Sequence, residues 1–357
     1  MSVASDQSSA RLETEAAAPV RAAYVHVPFC RHRCGYCDFT LVAGRDDLIE
    51  NYLSALEREL VALGEPRVVE TLFLGGGTPT HLEPDALTRL FGLLRTWLPT
   101  TQGAEVSVEA NPADLTRERI EVLAAAGVNR VSLGVQSLQV EHLQTLERDH
   151  RPEEVAEVVE RLRPRISNVA IDLIFAIPGQ TPAEWEATLL GSLALQPAHV
   201  STYGLTWERG TAFWSRRLKG DLRPVDEETE REMYALAMDR VAAAGLTQYE
   251  LSNFARPGCE CRHNQTYWRG ESYFGFGPGA ASYLGGVRRI NHRSTTTWIR
   301  RMQAGELAIQ EEERLSPEER AREAIMLGLR QRTGIDLGQF EQRFGTTPAR
   351  LEPEVHA

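Results

Sequence analysis

Between residues 23 and 205, short runs rich in β-branched residues alternate with amphipathic stretches, and this rhythm restricts the fold more than any other feature of the chain. The strand-like runs are Ala23 to Phe29, Val69 to Leu74, Glu105 to Glu109, Arg130 to Val135, Val169 to Ile177 and His199 to Leu205. Helical periodicity fills the gaps at Asp46 to Leu63, Pro84 to Trp97, Thr116 to Ala126, Pro152 to Arg163 and Pro182 to Leu195, several opened by a proline or an acidic residue. Repeated β-α units set parallel strands side by side with helices outside. Six units fall short of the eight that close a barrel, so the expected class is α/β, a partial TIM-like (β/α)6 barrel. Its open side needs a wall.

The rest of the 357-residue chain is long enough to supply one. Asp226 to Ala244 reads as an acidic amphipathic helix, Thr247 to Asn253 as a strand, and the Gly-rich Tyr273 to Gly286 as a loop-and-turn region near a ligand or another backbone. Ser316-Pro317-Glu318-Glu319 is a capping-box start for a helix reaching about Arg330. The expected division is a disordered leader at 1–21, the barrel at 22–210, a barrel-capping segment at 211–300 and a small C-terminal α+β or helical domain at 301–357. Leu351 to Ala357 reads as frayed.

With 39 Lys and Arg against 50 Asp and Glu the formal charge is −11, and no basic stripe offsets it, which argues against nucleic acid as a partner. The longest apolar run, Val169 to Ile177, contains Asp172 and is far short of a membrane span. Peripheral attachment at a membrane stays open.

The five cysteines fall in two windows, Cys30, Cys34 and Cys37, then Cys259 and Cys261. An odd, clustered set with no apolar signal segment before it fits a reducing cytoplasm and metal binding better than a disulfide framework. Cys30-x-x-x-Cys34-x-x-Cys37 follows the first strand, where a βα loop emerges at the mouth of a barrel. Zinc would need a fourth ligand, for which His26 and His32 are at hand, and usually draws its ligands from two separated pairs. A four-iron cluster held by three thiolates keeps one iron open.

Tyr24-Val25-His26-Val27-Pro28-Phe29-Cys30, the triad spacing and Tyr36 beside Cys37 resemble the radical S-adenosylmethionine (SAM) superfamily, specifically its coproporphyrinogen oxidase-like branch. The likeness extends from about residue 22 to 345. It implies a radical SAM barrel, a [4Fe-4S] cluster on Cys30, Cys34 and Cys37, and SAM chelated by the open iron and cleaved to a 5′-deoxyadenosyl radical when an electron donor reduces the cluster. It further places Tyr24, Gly76, Gly77, Thr78, Glu109, Gln136, Arg148 and Asp172 around SAM. On residue chemistry alone, Gly75-Gly76-Gly77 also reads as a tight βα turn, Tyr24 as a strand aromatic and Arg148 as a solvated helix-end arginine.

Two kinds of protein share that branch. The oxygen-independent coproporphyrinogen III oxidases, which decarboxylate a porphyrin precursor in haem biosynthesis, carry a fourth cysteine two residues after the triad. Here Asp38-Phe39 follows Cys37, as in the HemW-type haem chaperones. His263-Asn264-Gln265-Thr266-Tyr267-Trp268 matches the His-Asn-x-x-Tyr-Trp pattern of those chaperones, which implies His263 as a haem ligand, although a histidine among aromatics is by itself more often structural. The resemblance thus implies a carrier more than an enzyme. It would bind haem, SAM and the cluster and deliver haem to apo-cytochromes or other respiratory haem proteins, with the oxidase as the alternative and a homodimer left open. It assigns nothing to Cys259 and Cys261, which read as incidental reduced thiols.

Overall fold

The computed structural model describes residues 19–352. The expected leader lies outside them up to residue 18, as does the chain end beyond residue 352. The first six strands of the main sheet are β1 (Ala22–Val27), β2 (Val69–Gly76), β3 (Thr100–Ala110), β4 (Arg130–Gln136), β5 (Asn168–Phe175) and β6 (His199–Gly204). They lie side by side in chain order, all parallel, with Val25 opposite Leu74, Leu74 opposite Val108, Val108 opposite Val131, Val131 opposite Val169 and Ile171 opposite Val200. These strands are buried on both faces, which is why they read as nearly continuous β-branched runs.

Helices at Ile49–Val61, Pro84–Trp97, Arg117–Ala125, Pro152–Leu162 and Pro182–Ala194 cross back between the strands. Thr181 and Glu184 form a reciprocal capping box at the start of the last of these, and Pro182 takes the first helical position, where a missing N–H costs nothing. Their apolar faces join Leu53, Leu56, Leu87, Leu90, Val158 and Trp185 to the strand side chains in one core.

The sheet does not close by pairing β1 with β6. Beyond β6 it adds β8 (Asn253–Ala255), antiparallel, and then β7 (Thr247–Gln248). Beyond β1 it adds β9 (Tyr273–Phe276), parallel, followed by antiparallel β10 (Ala281–Leu284), β11 (Val287–Asn291) and β12 (Ile309–Arg314). The open side of the (β/α)6 unit is thus walled by strands of the same sheet.

Two expectations need correction. Tyr273 to Gly286 is a hairpin rather than a loop, and Gly275 is needed because a Cβ there would collide with the carbonyl of Ala281 on the partner strand. Close approach of backbone was the right reason for a glycine, but the approaching backbone belongs to the sheet. Thr247 to Asn253 is not one strand: the chain turns between β7 and β8, where the Tyr249 N–H donates to the Asn253 carbonyl at 3.1 Å.

The capping box of Ser316 and Glu319 opens a helix at Pro317–Gly328. This helix and Leu337–Phe344 enclose a small core of Ala321, Ile325 and Phe340.

Candidate functional site: a cysteine loop over the barrel mouth

The cysteine loop leaves the C-terminal end of β1 and is fastened by its own hydrogen bonds. Phe29 and Cys30 pair in parallel with Val42 and Ala43, which closes the loop at its base. Inside it, the Arg33 guanidinium donates to the carbonyls of Cys37 (3.2 Å), Phe39 (3.2 Å) and Leu41 (2.8 Å), and the Cys37 N–H donates to the Cys34 carbonyl at 3.1 Å. Gly35 has no side chain to block the Phe213 ring, and its carbonyl accepts from the Phe213 N–H at 2.9 Å.

Each thiol faces a different neighbour. Cys30 Sγ lies 3.4 Å from Thr78 Oγ1, Cys34 Sγ lies 3.8 Å from an Arg148 Nη, and the half-buried Cys37 lines, together with Cys34, a cleft that also holds Arg33 and Arg209. Among the described residues, no three of His, Cys, Asp or Glu converge closely enough to share one metal ion. Three thiols on one loop suit one thiolate per iron on a cluster, whereas a zinc ion would need a fourth ligand. Burial pushes the Cys30 thiol up to about 12 and raises Cys37 as well, so loading such a cluster releases protons.

Arg148 is not a solvated helix-end residue. Its guanidinium is enclosed, donating to the Gly134 carbonyl at 2.9 Å and to Asn111 Oδ1 at 3.1 Å, with Nε left without a partner. A buried cation beside a cysteine loop favours negative charge there.

Below the loop, Tyr24, His26, Gly76 and Glu109 line a cleft of about 250 Å³ whose lip is formed by Asp38, Phe39, Thr40, Gly279 and Arg293. The Gly76 N–H donates to Glu109 Oε2 at 2.9 Å. Gly76 has a φ of +106°, and a Cβ on it would run into the His26 ring; one on Gly77 would meet the carbonyls of Val27 and Phe29. The glycines therefore let β2 cross tightly over the end of β1, and any ligand contact comes from their backbone. His26 is itself held, with Nδ1 3.0 Å from the Tyr24 hydroxyl and Nε2 2.6 Å from the Thr40 carbonyl. Burial lifts the Glu109 carboxyl to about 7, partly opposed by the Gly76 bond and reinforced by Asp172. Asp172, on β5, is likewise raised by burial and accepts from Ser132 Oγ at 2.9 Å.

Gln136 ends β4 with a φ of +64°, where the register with β5 slips. A non-glycine residue in that region is strained, and such strain gathers at ligand sites. Tyr24, Gly76 and Glu109 are thus brought into one cleft, with Thr78 at Cys30 and Arg148 at Cys34. Gln136, Gly77 and Asp172 do not line it. The roles of Arg33, His26, Asn111 and Arg293 were not visible in the sequence, because no spacing rule marks a side chain that braces a loop from inside or sits on a rim.

His263 lies beneath this cleft rather than in its lining, with its ring centroid 6.5 Å from that of Tyr24. It is 1% exposed on the short helix Arg262–Trp268, near the N-terminal ends of the strands. Its Nδ1 is 3.0 Å from Thr71 Oγ1, its Nε2 is 2.8 Å from the Tyr267 hydroxyl, and its ring stacks on Phe73 at 5.2 Å. Burial depresses it to about 3, so the ring is neutral. In this arrangement both ring nitrogens already have hydroxyl partners, so neither is free for an axial bond. Glu105 anchors the same helix, accepting from the N–H groups of Arg262 (2.9 Å) and His263 (3.1 Å) and from Cys261 Sγ at 3.6 Å.

Comparison with known proteins agrees with this architecture. Residues 24–190 match the radical SAM superfamily and residues 315–355 match the HemN C-terminal domain. The heme chaperone HemW of Bacillus subtilis is 38% identical over 342 residues, covering 94% of this chain and 90% of that protein. The heme chaperone HemW of Lactococcus lactis is 39% identical over 323 residues, covering 90% and 84%. The solved structure of coproporphyrinogen III oxidase (HemN) from Escherichia coli, a radical SAM enzyme, superimposes with a TM-score of 0.82 at 26% identity, over 94% of this chain and 81% of that one. On its identity to these relatives over nearly their whole length, the chain belongs to the radical SAM superfamily and, within it, to the HemW family.

Proposed function

We propose that this protein is a haem carrier that holds one [4Fe-4S] cluster and SAM and passes haem to apo-cytochromes, working in the cytoplasm. The observation that carries this reading is Phe39, exposed at the lip of the mouth where a thiol would be needed for decarboxylation in the oxidase branch. A phenyl ring cannot donate a hydrogen atom or a proton as a thiol does. The curated relatives named as heme chaperones support the same choice. The alternative, a coproporphyrinogen III oxidase, draws support from the fold shared with HemN, and fold alone does not specify chemistry.

Cys30, Cys34 and Cys37 would hold the cluster, which when bound supplies an open iron for SAM and an electron to it. The chain's own residues prepare the pocket. Arg33 braces the loop so that three thiols can be presented together, and Arg148 offsets negative charge beside Cys34. Glu109 offers a carboxylate to a cationic ligand group, and Tyr24 and His26 form its polar wall. No helix among the described residues is long and apolar enough to cross a membrane, so membrane-bound acceptors would be met through the protein surface.

Because Glu109 titrates near 7, its negative charge is largely absent at pH 6 and largely present at pH 8. A cationic ligand prefers the ionised form, so SAM affinity measured by calorimetry should tighten roughly tenfold from pH 6 to pH 8 in the parent relative to Glu109→Gln. Identical pH profiles in the two proteins would remove Glu109 from the SAM pocket. The carrier reading as a whole is tested by haem transfer to an apo-cytochrome, with decarboxylation of coproporphyrinogen III assayed alongside.

A further inference from the structure

The mouth of the barrel carries two opposed kinds of chemistry. Its floor is acidic, with Glu109 in the cleft and Asp172 behind it, and suits a cationic group. Its lip presents an arginine and a bare phenyl ring. Phe39 is 58% exposed and takes no part in any core cluster, although its backbone is fixed by Arg33 through its carbonyl. Arg293 is exposed and lines the same cleft; its backbone N–H donates to Gln310, and among the described residues its guanidinium has neither a hydrogen-bond nor an ion-pair partner. Asp38, which shares the lip, is not within ion-pair distance of it.

Both halves of the lip are preorganised. Gly279, at a φ of +72°, packs against the Thr40 side chain, which brings the Gly-rich turn after β9 into contact with the end of the cysteine loop. That turn is held from behind by Glu59, which accepts from the Gly277 N–H at 2.7 Å and from Asn291 Nδ2 at 2.6 Å. The Asn291 N–H in turn donates to the Ala280 carbonyl at 2.9 Å, and the Gly279 N–H to the His292 carbonyl at 3.2 Å. Arg293 follows directly and Ser294 caps the next helix. An exposed aromatic face and an unpaired guanidinium on two fixed edges of one cleft form a site for a flat aromatic acid: the ring plane lies on Phe39 and the carboxylate pairs with Arg293.

We infer that Phe39 and Arg293 form a haem-docking rim, in which one porphyrin face rests on Phe39 and a propionate on Arg293, while His263 stays in its structural place. The inference rests on the carrier reading. A cleft of about 250 Å³ is too small for a whole tetrapyrrole, so the macrocycle lies across the mouth and only an edge reaches in. The position that separates this chain from the oxidases then has a use of its own: it supplies a stacking surface.

The test uses the anaerobically reconstituted full chain and two iron-free probes, mesoporphyrin IX and its dimethyl ester, titrated by fluorescence, together with haem itself. Removing the iron excludes axial ligation, and esterification removes the charge that Arg293 would grip. Arg293→Gln should weaken the free acid about tenfold and leave the ester unchanged, while Phe39→Ala weakens both by a similar factor of about five. His263→Ala should leave both iron-free affinities unchanged. Equal affinity of parent and Arg293→Gln for the free acid would overturn the rim, as would an equal loss for acid and ester. If haem binds the parent and only His263→Ala abolishes it, the carrier reading survives and the rim is rejected. If the parent binds neither haem nor porphyrin, the carrier reading itself fails.

Discussion

A Cys34→Ser chain, reconstituted anaerobically with iron and sulfide, should load less than about a tenth of the roughly four irons that the parent takes up, and should lose the cluster's visible absorption. The reason is positional. Only three thiols stand on the loop, and the remaining two cannot replace a lost one. Cys261 lies against Glu105 at the other end of the strands, and Cys259 is two residues away from it. The loop should still fold, because it is closed by the pairing of Phe29 and Cys30 with Val42 and Ala43 and by the three carbonyl contacts of Arg33. Cys34 is buried beside Arg148 and the Glu147 carbonyl, and serine keeps a polar atom there, so thermal unfolding of the cluster-free proteins should differ by no more than about 1 kcal/mol. A Cys34→Ser protein that kept its full iron and sulfide would contradict the assignment.

The second large effect concerns stability. Glu105 is 7% exposed, and its carboxylate holds the first N–H groups of the helix that contains His263. Glu105→Ala leaves two donors and the Cys261 thiol without an acceptor in a dry interior. It also strips a carboxylate from the neighbourhood of Arg130, a guanidinium 2% exposed on β4. The cost should be about 3 kcal/mol, and the melting temperature should fall by roughly 5 °C or more. Glu105→Gln keeps one acceptor and should fall between. A variant within about 0.5 kcal/mol of the parent would show that the helix is anchored by its aromatic packing rather than through Glu105. Because iron uptake depends on the opposite end of the barrel, cluster loading by folded Glu105→Ala protein should be unaffected.

The contrast between these two sites shows what could be read from the residues. The six parallel strands were legible because both faces are buried, which forces runs such as Val169-Ala170-Ile171 and Val131-Ser132-Leu133, and Pro84 marks its helix start directly. The edge strands were not. β11 and β12 carry Arg288 and Arg289 opposite Glu313 and Glu312, paired at 2.6 and 2.9 Å, and neither strand has an apolar alternation to reveal it. Their complementarity appears only once the two strands, separated by the helix Thr295–Gln303, lie side by side.

The site was legible in the same uneven way. Cysteine spacing is local and chemically specific, so the loop could be picked out. Arg148 reads as surface in a helix-ending sequence, yet it is drawn inside by Asn111 and the Gly134 carbonyl, partners 37 and 14 residues away. His263 sits in a motif that resembles a haem site, but its burial depends on Thr71, 192 residues earlier in the chain. Non-local packing of this kind leaves no trace in spacing.

The most direct measurement of the central claim is transfer. Protein loaded with stoichiometric haem is mixed with an apo-cytochrome, and the absorption of the assembled cytochrome is followed, with coproporphyrinogen III, SAM and reductant supplied in a parallel reaction. The carrier account predicts that the cytochrome signal grows as the donor's haem signal declines, and that the tetrapyrrole in the parallel reaction keeps its four propionates. Protoporphyrinogen IX formed with consumption of SAM, and no gain of haem by the acceptor, would contradict it and make the protein an oxidase.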